Sequence, residues 1–220
     1  MNARERYRIV GRLDGLSEKE KIEVILSYAH DSKSAVSVAG RLCKKYPTVY
    51  KLLYAKAEDV TSIAKDDGKT AELLNVMRET MSGALRVSVL SEPTPITCRT
   101  DVLEYLRFTL GGLNIEKFLV VSLDNRNRPV GIDEISTGTV NRCVIFPRLV
   151  FETALKNGAT SVILVHNHPG GRADPSDEDW TTTERVHKVG RLIDIPVHDH
   201  IIIASPTSTV SMREFKRWPD

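Results

Sequence analysis

Apolar residues in the first ninety positions return every three or four residues, the spacing that lines one face of a helix. Ile22, Ile25, Leu26 and Ala29 form one such stripe. Ser17 and, three residues on, Glu20 precede it as the two halves of a capping box, which marks a helix start. Val36, Ala39, Leu42 and Cys43 form a second stripe that ends near Pro47. The segments 48–54, 57–64 and 70–89 repeat the pattern. The spacing predicts a small all-helical domain over residues 1–90.

Ser91-Glu92-Pro93-Thr94-Pro95 interrupts this regularity. Each proline pushes the residue before it toward extended backbone, so 91–97 reads as a linker. Beyond it the pattern becomes mixed. A helix over about Thr100–Leu110 ends at Gly111-Gly112. Lys117–Leu123 and 128–135 flank the turn-type residues Asp124-Asn125-Arg126-Asn127, which predicts a hairpin. Pro147 can open a helix that stops at Asn157-Gly158. The run 161–165 is a short, continuously apolar strand, a helix follows over about 176–192, and 196–204 and 209–212 complete the strands. The fold class expected is α+β, with the helical domain (1–90) followed by a second domain (98–220) in which a mixed sheet packs against helices.

Composition narrows the class. The 220 residues are 41% hydrophobic and 27% charged, as in globular proteins. No apolar run approaches the ~20 residues needed to cross a bilayer, and the charged start lacks the apolar core of a signal peptide. Cys43, Cys98 and Cys143 lie far apart with no C-x-x-C pair, which suits a reducing compartment. The expected location is cytoplasmic, with no membrane association. Residues 1–90 hold 16 Lys and Arg against 12 Asp and Glu, a surplus of +4 that is a weak nucleic-acid signal. Five of the six histidines fall between 166 and 200, so chemistry belongs to the second half.

The centre of that chemistry is His166-Asn167-His168, followed by a loop rich in Pro and Gly and then Ser176-Asp177-Glu178-Asp179. Two histidines two apart on a strand project to one side. Asp179 falls in the first turn of the next helix, and two imidazoles with one carboxylate make a zinc set whose fourth position stays open for water. Ser176 and Asp179 also fit a capping box, which needs no metal. Both readings stand, and they are compatible. His198-Asp199-His200 is a second H-x-H, in which His198 and His200 would share one strand face and Asp199 the other with Ile201 and Ile203. It lacks a third ligand at helical spacing, so Asp199 or His200 is either a hydrogen-bonding support for a ligand or a satisfied buried polar residue. His187, in a charged stretch, reads as solvent-facing.

The run H-x-H-x7-S-x-x-D is the JAMM signature, and the chain resembles the JAB/MPN metalloprotease-like family over roughly residues 95–215. HNHPGG, the upstream IDEISTGT and the downstream DHIII resemble the RadC-like branch in particular, which more often carries Ser where this chain has Gly171. The resemblance implies a mixed β-sheet flanked by helices, with Zn2+ held by His166, His168 and Asp179. It further implies that Glu116 is the general base for the attacking water and that Ser176 steadies the developing oxyanion. Glu134 is the competing glutamate. The reaction implied is metal-assisted hydrolysis of an amide, peptide or isopeptide bond in a peptide or protein substrate.

The first half is similar to the RadC pattern as well, where a helix-hairpin-helix turn with two glycines offers backbone N–H groups to a phosphate. Here the turn reads Lys65-Asp66-Asp67-Gly68-Lys69, with one glycine and two aspartates. DNA binding through residues 1–90 is therefore expected to be weak. The alternative function is a DNA-associated repair or processing protein whose metal domain is nucleolytic or structural. Metal-ion identity beyond a zinc-like divalent cation, the substrate and the oligomeric state are not encoded in these patterns.

Overall fold

The computed structural model describes residues 2–91, 100–137 and 145–219. The chain forms two compact units, Met1–Met81 and Ser82–Asp220.

The first unit is helical throughout: α1 (Ala3–Val10), α2 (Glu18–Leu26), α3 (Ser32–Lys45), α4 (Val49–Leu53), α5 (Ala57–Ala64) and the first half of α6 (Lys69–Ser91). The Ser17–Glu20 capping box opens α2 as expected. Helix α1 escaped the sequence reading because only Ala3 in it is buried; Asn2 and Glu5 cap its start, and Gly11 closes it in the left-handed region. The stripe of α3 is displaced from the expected one. Ala35, Val38, Ala39 and Leu42 face the core, whereas Val36 is exposed and Cys43 is only half-buried. Two apolar residues at 36 and 38 allow either phase, and packing selects the second.

The turn before α6 departs from a phosphate cradle in a specific way. The Gly68 N–H donates to Asp66 Oδ1 at 3.0 Å, and the Thr70 N–H and hydroxyl donate to Asp66 Oδ2 at 3.3 and 2.6 Å. His30 Nε2 lies 3.3 Å from the same carboxylate. The aspartate thus takes the donors that a helix N-terminus would offer an anion.

The second unit contains the end of α6, α7 (Thr100–Leu110), β1 (Lys117–Leu123), β2 (Pro129–Thr137), α8 (Pro147–Lys156), β3 (Ser161–Asn167), α9 (Asp177–Leu192), β4 (Val197–Ser205) and β5 (Ser208–Ser211), followed by a 3-10 turn. The sheet order is β2-β1-β3-β4-β5. β3 and β4 run parallel and the other neighbours antiparallel, so the sheet is mixed. The segment 92–99, which includes most of the expected linker and Cys98, lies outside the described residues, as do Cys143 and Gly138-Thr139 of the upstream motif.

Alternation along the strands sorts the two faces. Phe118, Val120, Val162 and Leu164 pack against Val150, Phe151 and Ala154 of α8 and Val186 of α9. Leu119, Val121, Ile163, Val165, Ile201 and Ile203 pack against Val89 of α6 and Tyr105, Leu106 and Leu110 of α7. Strands buried on both faces must be continuously apolar, which explains the unbroken runs in β1 and β3. Each such side chain contributes about 1.5–3 kcal/mol on burial. Asp124 organises the β1–β2 hairpin, accepting the Arg126 and Arg128 N–H groups at 2.8 and 2.9 Å. The Arg128 guanidinium, together with these bonds, lowers its carboxyl to about 2. Among the described residues no helix is long and apolar enough to cross a membrane.

Candidate metal centre

Three side chains meet at the carboxyl end of β3. His166 is the strand's penultimate residue. His168 follows it on the same side because its N–H still donates to the Ile203 carbonyl at 3.0 Å, carrying the extended backbone past the strand. Asp179 comes from the first turn of α9. His166 Nε2 lies 2.9 Å from His168 Nε2 and 3.0 Å from Asp179 Oδ1, and His168 Nε2 lies 3.4 Å from Asp179 Oδ2. All three ligand atoms lie within 4.8 Å of one another.

This donor set fits a tetrahedral divalent cation. Bonds of ~2.0–2.1 Å at the tetrahedral angle hold ligand atoms about 3.3 Å apart, close to the spacing found. Two imidazole nitrogens 2.9 Å apart also repel through their lone pairs unless a cation or a proton sits between them. His168 presents the right atom: its Nδ1–H donates to the Arg172 carbonyl at 2.8 Å, which leaves Nε2 facing the site.

The electrostatics are those of a charge-paired cluster. Burial would raise the Asp179 carboxyl, but the adjoining His166 and His168 rings and the Ser176 hydroxyl hold it well below the usual carboxylate range. His168 is raised, chiefly by Asp179, against burial and with the Arg172 carbonyl and the Glu116 charge acting the same way. His200, fully buried beside His166 and His168, is pushed well below the ordinary imidazole value.

A cleft of about 150 Å³ opens over the cluster, lined by Glu116, Phe118, Ile145, Ser176, Glu178 and Thr182 together with the three ligand candidates and His200. Glu116, immediately before β1, and Ser176, the N-cap of α9, therefore share one cleft with His166, His168 and Asp179. Glu134 stands opposite Leu119 on β2, where it accepts from Lys117 Nζ at 2.6 Å, and it is not among the residues lining the cleft. The Ser176–Asp179 capping box is present in full. Gly171 has φ of 79°, a conformation that suits glycine better than serine.

Two residues that the sequence reading passed over support the centre. Asn167, the last residue of β3, is buried; its Oδ1 accepts from the Lys117 N–H at 2.8 Å and its Nδ2 donates to the Ile115 carbonyl at 2.9 Å. It thereby clamps the backbone on both sides of Glu116. Phe118 stacks on His166 at 6.0 Å between ring centres and meets His200 edge-on at 5.5 Å.

The second H-x-H differs from expectation. A register shift places Val197 opposite Val162 and Asp199 opposite Ile163, so His198 is an extra residue on β4. His198 consequently lines a separate cavity with Asp199, and only His200 reaches the cleft, with its Nε2 2.8 Å from His166 Nδ1. Asp199 accepts from the Ser211 hydroxyl at 2.7 Å. His187 is buried rather than solvent-facing and packs edge-on against Trp218 at 5.8 Å. Among the described residues, His166, His168 and Asp179 are the one group of three or more His, Cys, Asp or Glu side chains with metal-ligand spacing.

Comparison with known proteins agrees with this architecture. The RadC-like JAB domain matches residues 96–217. A UPF0758 protein of Rubrobacter xylanophilus is 33% identical over 205 residues, covering 92% of this chain and 88% of that protein. One from Geobacillus kaustophilus is 31% identical over 201 residues, covering 91% and 88%. Another, from Finegoldia magna, reaches 47% identity over 105 residues, about half of each chain. A helical first unit, a mixed five-stranded sheet ending in the H-x-H-x7-S-x-x-D cluster, and relatives matched over most of their length place the chain in the RadC-like JAB domain family.

Proposed function

We propose that the chain is a zinc-dependent hydrolase that cleaves an amide, peptide or isopeptide bond. The observation that carries this reading is the convergence of His166, His168 and Asp179 at ligand spacing in a cleft that also holds Glu116 and Ser176. A silent scaffold has no need of an acceptor for protons beside such a set.

A zinc ion held there supplies a Lewis acid that brings the pKa of water toward ~7 and polarises a carbonyl. Glu116 accepts a proton from the attacking water and returns it to the leaving amine. Asn167 keeps Glu116 over the cleft by holding the backbone at 115 and 117. Ser176 has one hydroxyl proton, which goes to Asp179 Oδ2 at 2.6 Å; turning it toward a substrate oxyanion leaves Asp179 Oδ2 still bonded to the Ser176 N–H at 2.7 Å. Asp179 therefore stays anchored while Ser176 donates.

The rival DNA-processing reading draws less support. In the first unit the Gly68 and Thr70 donors that a phosphate would need are already taken by Asp66, which favours weak DNA binding there. The three scattered cysteines fit a cytoplasmic setting. The test is a screen of isopeptide-linked and short peptide libraries with the whole protein, before and after chelation. Cleavage abolished by chelation and restored by zinc supports the hydrolase; nuclease activity with no peptide cleavage favours the rival.

A further inference from the structure

The cleft is backed by a buried chain of hydrogen bonds whose protons can be assigned one at a time. His166 Nδ1 lies 2.8 Å from His200 Nε2, His200 Nδ1 lies 2.6 Å from Thr183 Oγ1, and Thr183 Oγ1 lies 2.6 Å from the Asp179 carbonyl oxygen. His166, His200 and Thr183 are 1%, 0% and 0% exposed, so water does not serve as a substitute partner.

A carbonyl oxygen carries no proton, so the Thr183 hydroxyl proton goes to Asp179, the carbonyl four residues back on the same helix. The hydroxyl oxygen must then accept, and the donor is His200 Nδ1–H. A neutral imidazole has one N–H, which makes His200 Nε2 an acceptor. Its partner, His166 Nδ1, must donate. With its one N–H at Nδ1, His166 carries no proton on Nε2, the atom that faces His168 and Asp179 across the cluster. In the opposite polarity His166 Nε2 would carry a hydrogen aimed into the site, and the Asp179 carbonyl would lose the hydroxyl.

We propose that His200 and Thr183 are positioning residues that hold His166 as the Nδ1–H tautomer, with its Nε2 lone pair presented to the cation. The chain starts at one ligand candidate, His166 on β3, and returns through β4 to the backbone of another, Asp179 on α9. It fixes both the tautomer of the first and its distance from the second. This inference rests on the metal-centre reading above.

The experiment measures zinc affinity of the full-length protein by chelator competition, with nitrogen-15 histidine spectra of the zinc-loaded form. Thr183→Val keeps the side-chain volume but cannot accept from His200, Thr183→Ser keeps the hydroxyl, and His200→Ala removes the acceptor. Losing such outer partners costs ~10–100-fold in metal affinity, so Thr183→Val and His200→Ala should weaken zinc by that factor while Thr183→Ser stays near wild type. The spectra should show His200 as a neutral Nδ1–H tautomer. A folded Thr183→Val protein with wild-type affinity, or His200 protonated at Nε2, overturns the proposal. If His200→Ala fails to fold, the threonine pair decides, because a packing role alone would leave zinc affinity unchanged in Thr183→Val. A wild-type protein that takes up no zinc overturns the metal reading and this inference together; a zinc-binding wild type with an unaffected Thr183→Val overturns this inference alone.

Discussion

Ser176 and Asp179 are bonded reciprocally: the serine N–H and hydroxyl both donate to Asp179 Oδ2, at 2.7 and 2.6 Å, while the Asp179 N–H donates back to the serine oxygen at 3.1 Å. The other carboxylate oxygen, Oδ1, is left 3.0 Å from His166 Nε2. One carboxylate thus caps α9 with Oδ2, which also lies 3.4 Å from His168 Nε2, and faces His166 with Oδ1. The capping reading of this motif is satisfied by Oδ2, and Oδ1 is left available for a ligand role. Ser176→Ala should lower stability by ~1 kcal/mol through the lost cap, yet retain zinc, because Oδ1 and the Ser176 N–H are untouched. Thermal unfolding and metal analysis of the variant check the two halves; loss of zinc would show that the cap and the ligand are not separable.

Glu116 is assigned to the proton and not to the metal. Glu116→Gln should keep zinc and lose hydrolysis by ~10²–10⁴-fold, the usual scale of a general acid–base contribution. Asn167→Ala should also reduce turnover with zinc retained, since it frees the backbone on either side of Glu116. Wild-type turnover in Glu116→Gln would make Glu116 a bystander.

Gly111 follows α7 where the chain passes close to the end of β4. A methyl group there would lie 2.7 Å from the Arg107 carbonyl oxygen and 2.8 Å from the backbone of Ser205 and Pro206. These are backbone atoms that cannot swing aside. Gly111→Ala should destabilise the sheet unit by ~1–3 kcal/mol, read as a lower denaturant midpoint at unchanged slope.

Asp66 gives a pH signature. Burial raises its carboxyl, but Thr70, the Gly68 N–H and His30 together hold it below its ordinary 3.8. A lowered acid stabilises the fold above its unfolded value and loses that contribution as pH falls through the folded one. Asp66→Ala should therefore cost ~1 kcal/mol at neutral pH, and the gap to wild type should close in acid as the wild-type carboxyl protonates. Unfolding curves across the acid range decide it; a gap independent of pH would mean that the charge plays no part.

Much of this was legible because periodicity and caps are local signals. β1 and α9 fall within a residue of where alternation and the Ser176 cap place them. The convergence of His166, His168 and Asp179 was legible for a similar reason: a strand-end H-x-H and a first-turn Asp are brought together by one loop. What escaped depends on distant partners. Asn167 finds its own at 115 and 117, across the β1–β3 pairing. His187 is covered by Trp218, 31 positions further along the chain. The separation of His198 from His200 comes from a bulge that strand alternation does not announce.

The central claim is that His166, His168 and Asp179 hold a metal ion, and zinc content tests it most directly. Purified wild-type protein should contain close to one zinc per chain, and His168→Ala should lose most of it while the helical unit stays folded. A metal-free wild type under zinc-replete conditions, or full zinc retention in His168→Ala, would contradict the account.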